Sequence, residues 1–284
     1  MIQFCSNDVG YFRVSVGTTK VLCRGLAIAF LLLMSGSCTI SGIHVDKGGM
    51  PAKGANDAAA PASGRAPILL FNGTGTSAND VAAVETILNN NNLSYWTANS
   101  SQMNGMSESQ LRGYRLLIIP GGNFIDIGRS LNSSTAANIH NAVQNGLNYL
   151  GICAGAFLAG NSSHYNGLNL TSGVKFGFYS VEEKGIRKAA VEIAVAGAPT
   201  LEHYWEDGPQ FTGWGAVVGK YPGGTPAIVE GTSGRGWVIL SGVHPEAPAG
   251  WRSGMTFTTP AELDNAYAGT LVKAALNGTS LAHY

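Results

Sequence analysis

The chain has 284 residues, and its length, composition and charge exclude several classes of protein. A chain of this length can bury a large core without disulfide bridges, and an apolar fraction of 45% argues against disorder throughout. Lys and Arg together number 17, as do Asp and Glu, so the formal net charge is zero. Without a cationic surplus to neutralise phosphates, the chain is not expected to bind nucleic acid. The 39 glycines lack the period of three that collagen requires.

The N-terminal segment has the layout of a secretory signal. An apolar run at 25–34 follows two basic residues and is too short to span a membrane. Small residues lead into Cys38, and this end of the run resembles the lipobox of bacterial lipoproteins, whose cysteine is acylated, although Ser35 stands where Leu is usual. We therefore expect residues 1–38 to direct export to the periplasm and Cys38 to hold the protein at a bacterial membrane by its lipid alone. The alternative is an ordinary cleaved signal with a cysteine nearby.

The rest of the chain is predicted to be a flexible linker at 39–66 and one domain at 67–284. Apolar runs predict strands, and apolar residues at helical spacing predict helices. The strands are expected at 67–71, 93–97, 115–120, 147–152, 191–195, 225–229 and 236–240, and the helices at 78–90, 133–145 (capped by Ser133 or Ser134), 154–159 and 261–276. This alternation predicts an α/β fold with a mostly parallel central sheet and helices on both faces, with extra β-rich segments in the second half.

One cysteine lies at a predicted strand-to-helix turn, in the pattern Gly151-Ile-Cys153-Ala-Gly155. This is the cysteine counterpart of the nucleophile elbow, in which flanking glycines permit a sharp turn and the helix N-terminus favours thiolate. The backbone N–H of Ala154 would face a developing oxyanion. Cys153 is the only cysteine in the predicted domain, so in an oxidising compartment it is either a working thiol or a buried structural residue.

A second candidate is the His244-Pro-Glu246 segment that follows the strand predicted at 236–240. In extended backbone, residues two apart point to the same side, so Glu246 could bond one imidazole nitrogen while the other faces the thiol. The pattern therefore predicts a nucleophile, a base and an orienting carboxylate in Cys153, His244 and Glu246. A surface histidine is the alternative, and His203 is the reserve base or a pocket residue.

Pro120-Gly121-Gly122 ends another predicted strand. Its glycine amides could approach a ligand as an oxyanion hole, although a plain turn explains the pattern equally well. Asn123, His203 and Tyr204 are possible pocket residues. The sequence has no H-E-x-x-H motif, no paired cysteines in the predicted domain and no phosphate-binding loop ending in Lys-Ser/Thr, so we predict no metal and no cofactor.

These motifs together resemble the class I glutamine amidotransferase-like superfamily, and within it the domain at the N-terminus of eukaryotic biotin–protein ligases and in stand-alone bacterial proteins. The resemblance is carried by the segments 71–75, 153–156, 207–211, 226–229 and 241–246, together with the Pro-Gly-Gly turn. It implies a flavodoxin-like fold. It also implies that Cys153 is the nucleophile, His244 the general base and acid, and Glu246 the orienter, with oxyanion amides from Gly122, its neighbour Gly121, and Ala154.

The function expected from these features is an exported cysteine hydrolase or amidotransferase-like enzyme that cleaves a small-molecule or peptide amide through a thioester. Glutamine is the substrate that the resemblance implies, and a peptide or cell-wall amide is equally reachable. No ligase module is visible, so biotinylation is not expected, and an ammonia acceptor or partner protein is not identified. The alternatives are a binding module that retains the triad geometry and a cysteine peptidase of the PfpI type.

Overall fold

A nine-stranded sheet forms the centre of the computed structural model, which describes residues 66–172, 175–179 and 185–284. The expected signal, Cys38 and nearly all of the expected linker lie outside the described residues. Among the helices that the structure describes, none is long and apolar enough to cross a membrane.

The strand order of the large sheet is β2-β1-β3-β4-β11-β10-β9-β6-β7, and β5 pairs with β8 in a separate two-stranded sheet. The first five strands in that order are parallel, and the remaining four are antiparallel to their neighbours. The strands are β1 Ile68–Phe71, β2 Tyr95–Ala98, β3 Leu116–Ile119, β4 Asn148–Ile152, β5 Lys175–Phe178, β6 Lys188–Val195, β7 Leu201–Glu206, β8 Pro209–Thr212, β9 Ala216–Lys220, β10 Pro226–Ser233 and β11 Gly236–Ser241.

Helices cover both faces of the parallel part of the sheet. They are α1 Ala78–Asn90, α2 Ser100–Asn104, α3 Glu108–Leu111, α4 Phe124–Ser130, α5 Ser133–Gln144, α6 Ala154–Leu158 and α7 Ala261–Asn277, with a 3-10 turn at Ala249–Arg252. Strand residues alternate between two cores: Ile68 and Leu70 pack beneath α1 and α7, and Leu69 and Phe71 pack beneath α2 to α6. The predicted α/β fold, with its mostly parallel sheet and β-rich second half, is confirmed.

The parallel strands end at one edge of the sheet, and this edge receives the predicted motifs. The elbow follows β4, the Pro-Gly-Gly turn follows β3, and the His-Pro-Glu segment follows β11. These three strands are adjacent in the sheet. Open α/β sheets bind ligands at this edge, outside the carboxyl ends of their strands. One local prediction was wrong: α5 is capped by Asn132, whose side chain accepts from the Thr135 amide, and not by Ser133 or Ser134.

Candidate active site

Cys153 joins β4 to α6 in a backbone conformation that few non-glycine residues adopt. Its φ is 48° and its ψ is −103°. The surrounding backbone enforces this geometry, because the Cys153 amide donates to the Ser241 carbonyl at 2.8 Å and its own carbonyl accepts from the amides of Ala156 and Phe157. Such strain is stored at functional sites when neighbouring structure over-determines it. The turn places the side chain at the N-terminus of α6, as in a nucleophile elbow.

The helix after the elbow lies directly on strand β3. A Cβ atom on Gly155 would stand 1.9 Å from the Ile119 carbonyl oxygen, so no larger residue fits without moving backbone. The glycine in the pattern is therefore required by the close approach of α6 to the sheet. This approach fixes where the helix begins, and with it the position of Cys153.

His244 and Glu246 are brought together by a turn. The Ala247 amide donates to the His244 carbonyl at 3.2 Å, and the two residues before Ala247 are turn residues. This differs from the extended segment expected from the sequence, because the antiparallel contact with β7 ends at His244. The turn nevertheless brings His244 Nδ1 to 2.9 Å from Glu246 Oε1. From α7, the Asn265 side chain holds the turn by donating to the carbonyls of Pro245 and Ala247 at 3.0 and 3.2 Å.

The Cys153 side chain acts on the imidazole of His244 by its charge and by hydrogen bonding, and both interactions raise the pKa of the ring. Because Nδ1 donates to Glu246, the nitrogen left for the sulfur is Nε2. The sulfur also lies 3.5 Å from the carbonyl oxygen of Glu206, at the end of β7. The structure thus brings Cys153, His244 and Glu246 into one chain of contacts. All three are buried, and the exposed fraction of Cys153 is 6%.

A carboxylate that the sequence analysis did not identify completes this cluster. Asp80 lies in the first turn of α1, and its Oδ1 is 3.1 Å from His244 Nδ1, so two carboxyl groups face the same ring nitrogen. Asp80 is buried and follows Ser77, the N-cap of α1, by three residues. An Asp at that position ordinarily stabilises a helix N-terminus, so the local pattern gave no sign of a second role. Only the contact between the first turn of α1 and His244 reveals it.

Burial and charge act in opposite directions on this cluster. Burial tends to lower the pKa of His244, but the charges of Cys153 and Glu246 and hydrogen bonds to Asp80 and Cys153 outweigh it, so the pKa is raised well above its usual value. For Asp80, burial tends to raise the pKa, yet the hydrogen bond and charge of His244 lower it overall. For Glu246, burial prevails over His244 and raises the pKa. The cluster therefore favours a protonated imidazole beside Asp80.

The Pro-Gly-Gly turn borders the imidazole. Gly121 accepts a hydrogen bond from the Ser77 amide at 3.1 Å, which connects this turn to the start of α1. The amides of Gly122 and Ala154, predicted as oxyanion donors, form no hydrogen bond within the described residues. The Gly122 side of the turn is exposed, whereas Ala154 is buried. Both amides are therefore available donors beside the cluster, and their role remains a prediction.

The three possible pocket residues have separate contacts. The Asn123 side chain caps α4 by accepting from the amides of Ile125 and Asp126 at 3.0 and 3.2 Å. His203 is fully buried, and its Nδ1 lies 3.3 Å from an Asp264 oxygen. Tyr204 does border the site: its ring packs edge-on against His244 with the centroids 5.8 Å apart, and its hydroxyl donates to the Glu206 carboxylate.

Asp80, His244 and Glu246 are also spaced as metal ligands could be, because their candidate ligand atoms lie within 4.8 Å of one another. A ligating histidine must offer an unprotonated nitrogen. Here Nδ1 donates to Glu246, and the surroundings of the ring favour its protonated form. A metal ion would have to displace this proton, and we assign none.

The first part of the domain matches a known protein family. The family model described as Biotin-protein ligase, N terminal, matches residues 66–180. This confirms the resemblance inferred from the sequence. The matched segment contains Asp80 and Cys153 but ends before His244, so the imidazole is placed by the geometry alone. A search of curated proteins found no match.

Several solved structures are similar to this chain at low identity. A putative GMP synthase component from Thermoplasma acidophilum is 12% identical, with 75% of this chain and 97% of that chain covered and a TM-score of 0.49. A glutamine amidotransferase from Thermotoga maritima is 13% identical, with 74% and 88% covered and a TM-score of 0.45. An exo-β-1,4-mannosidase from Opitutaceae bacterium strain TAV5 is 14% identical, with 75% of this chain but only 36% of that chain covered and a TM-score of 0.48.

Proposed function

We propose that this glutamine amidotransferase-like domain is a cysteine hydrolase that cleaves an amide through a thioester, with Cys153 as nucleophile, His244 as general base and acid, and Glu246 orienting the ring. The observation that carries the proposal is the cysteine itself. It lies at a strained elbow, begins a helix and is hydrogen-bonded to an imidazole whose other nitrogen is held by a carboxyl group. A thiol is activated when it contacts a base that is itself held in orientation by a third group.

In the proposed reaction the thiolate sulfur of Cys153 bonds to the carbonyl carbon of the amide, and the carbonyl electron pair moves onto oxygen. The amides of Gly122 and Ala154 would donate to that oxyanion. When the carbon–nitrogen bond breaks, the imidazolium of His244 gives its proton to the departing amine and a thioester remains. Water then gives a proton to His244 and adds to the thioester carbon. The carbon–sulfur bond breaks, which releases the acid and restores the thiolate–imidazolium pair.

The substrate side of the site is lined by aromatic rings. Trp251 packs edge-on against His244 and Tyr204, with ring centroids 5.9 and 5.4 Å apart. The carboxyl groups of Asp80 and Glu246 contact the His244 ring, and the Glu206 carboxylate accepts from the Tyr204 hydroxyl. A small-molecule or peptide amide remains the proposed substrate class, with glutamine as the amide that the family resemblance favours.

A binding module that retains the triad is the second candidate, and one observation favours it. With an exposed fraction of 6%, Cys153 offers little surface to a substrate in this conformation. A binding role would leave the thiol without a function, whereas a hydrolase requires the site to admit an amide. The two candidates therefore differ in whether an acyl group can be transferred to the sulfur.

Acyl-enzyme trapping tests the proposal directly. Wild-type protein would be incubated with a panel of small amides and with an electrophilic glutamine analogue, and intact mass would be measured after acid quench. We expect a covalent adduct on Cys153, turnover of at least one amide, and loss of both in Cys153→Ala. Denatured wild-type protein provides the control for thiol reactivity. Absence of adduct and turnover in folded protein whose thiol labels after unfolding would favour the binding module.

We also propose that the domain acts outside the cytoplasm, held at a bacterial membrane by a lipid on Cys38. The support is the sequence alone: a short apolar run after basic residues, ending in small residues before a cysteine. A single lipidated terminus and a flexible linker would anchor the domain without spanning the membrane.

A further inference from the structure

Most neighbours of the His244 ring are buried. Among the described residues, the buried groups that contact or flank the ring are Asp80, Gly121, Cys153, Tyr204 and Glu246. Trp251 also packs edge-on against the imidazole, with the ring centroids 5.9 Å apart, but its side chain is partly exposed. A molecule that approaches the imidazole from solvent on this side therefore meets Trp251 first.

Trp251 belongs to a segment, residues 248–260, that has little regular structure of its own. Its 3-10 turn spans Ala249–Arg252, and within it the Trp251 amide donates to the Pro248 carbonyl at 3.0 Å. The residues just before Trp251 are exposed. A single short turn is only marginally stable by itself. The position of the indole must therefore be fixed by contacts that other residues of the segment make.

The next residue, Arg252, makes these contacts. Its guanidinium is buried, donates to Asp264 Oδ2 on α7 at 2.6 Å and to the Thr259 carbonyl at 2.7 Å, and lies 4.2 Å from the centroid of the Phe257 ring. A buried ion pair adds little net stability compared with apolar packing, but its directional hydrogen bonds specify one arrangement. Arg252 thus joins the turn both to the end of the segment and to α7.

The end of the segment is also tied to β7, the strand that carries Tyr204. The Glu202 amide donates to Thr259 Oγ1 at 3.0 Å, and the Thr258 amide donates to the Glu202 carboxylate. The Tyr204 ring then packs edge-on against Trp251, with the centroids 5.4 Å apart. The segment is therefore held between α7 and β7, with its indole beside the imidazole.

We propose that Trp251 is a specificity-determining residue that limits the bulk of the group reaching Cys153, and that Arg252 and Asp264 are positioning residues that hold it there. This inference rests on the proposed function for its chemical purpose, because access to the sulfur decides which amides are cleaved. It favours compact amides over those with large groups near the scissile bond. The alternative is that Trp251 only packs the turn, and then its size would not affect access to the thiol.

The test compares two alkylating reagents with the same reactive group and different size, iodoacetamide and N-naphthyl iodoacetamide. Their rate constants on folded protein are measured by mass spectrometry of the peptide that contains Cys153, and the larger reagent's constant is divided by the smaller one's. A change in the thiolate fraction affects both reagents alike and cancels in this ratio. Local unfolding that fully exposes the thiol would also admit both reagents, which labelling of denatured protein calibrates.

We expect Trp251→Ala to raise this ratio about tenfold or more, since steric limits in enzyme pockets discriminate by about 10–200-fold. Asp264→Asn should raise it less, because the indole is released but not removed. Trp214→Ala is the matched control, since Trp214 is also partly exposed but its indole faces Gly231 in β10. It should leave the ratio unchanged, as should Asp207→Asn in an exposed ion pair.

Equal acceleration of both reagents in Trp251→Ala, or no change in either, would overturn the inference. A wild-type ratio in Asp264→Asn would overturn the positioning role. If Trp251→Ala does not fold, Trp251→Leu decides the question by the same ratio. The labelling needs no amide, so it separates this inference from the proposed function. A protein with the changed ratio that cleaves no amide would retain the inference and lose the function, and an amide-cleaving protein with an unchanged ratio would do the reverse.

Discussion

Replacing Gly155 by alanine tests the packing that positions Cys153. Gly155 lies inside α6, where alanine would on helix propensity alone stabilise the protein by about 1 kcal/mol. The structure predicts the opposite sign. The new Cβ would stand 1.9 Å from the Ile119 carbonyl oxygen and 2.7 Å from its carbonyl carbon, and both are backbone atoms of a central strand that cannot rotate away.

The magnitude follows from the distance. Ordinary contact begins at 3.4 Å, so the methyl group would have to retreat by about 1.5 Å (3.4 minus 1.9) from the oxygen. Overpacking a close-packed core costs about 1–3 kcal/mol or more, and a clash with backbone belongs at the upper end. After the propensity gain is subtracted, we expect a net loss of about 2 kcal/mol. For a domain of this size that lowers Tm by about 4–8 °C.

Urea unfolding followed by circular dichroism measures the change, with Gly105→Ala as the matched control. Gly105 ends α2 with an ordinary φ of −89°, and a Cβ there would meet nothing closer than 3.5 Å. The control should therefore remain within about 1 kcal/mol of wild type. A Gly155→Ala variant as stable as wild type, or more stable, would refute the close approach of α6 to β3.

Three further outcomes are expected. Cys153→Gly should be more stable to urea than Cys153→Ala by about 1 kcal/mol, because glycine adopts the observed positive φ without strain; equal stabilities would contradict the strain at the elbow. Asp264→Asn should lower the free energy of unfolding by about 3 kcal/mol, because it leaves buried Arg252 without its carboxylate at 2.6 Å, whereas Asp207→Asn in an exposed pair should cost under about 1 kcal/mol. Cys38→Ser should move the protein from the membrane fraction to the soluble fraction on immunoblots, and an unchanged distribution would remove the lipid anchor.

The parallel half of the sheet could be predicted from the sequence because its signals are local. Strand β1 is a short run of apolar residues buried on both faces, and α1 spans the predicted 78–90. Three short helices, α2, α3 and α4, were missed, although a local signal existed for the first two. Asn99 and Gln102, and likewise Ser107 and Gln110, form capping boxes at the starts of α2 and α3.

The second half of the domain was harder to predict, because the burial of its residues depends on partners that are distant in the sequence. His203 was predicted to be a reserve base or a pocket residue, yet it is fully buried beside Asp264 on α7, and Asp264 is in turn bound by Arg252. No spacing in the sequence links these three residues. Asp80 was missed for the same reason, because its partner His244 is distant in the sequence. Its position in the first turn of α1 was already explained by the helix dipole.

The glycine at position 121 connects the predicted oxyanion turn to the charge on His244. Its predicted role is to let the backbone amide approach a ligand, but a Cβ there would stand 2.0 Å from Asp80 Oδ1 and 2.7 Å from His244 Cε1. Gly121→Ala should therefore displace the Asp80 carboxylate from the imidazole, and should lower the pKa of His244, because the hydrogen bond to Asp80 is one of the interactions that raise it. Gly223→Ala, whose Cβ would meet nothing within 4 Å, is the control and should leave that pKa, measured by NMR titration of the imidazole, unchanged. An unaltered His244 titration in folded Gly121→Ala would mean that the contact with Asp80 does not contribute to the raised pKa of the ring.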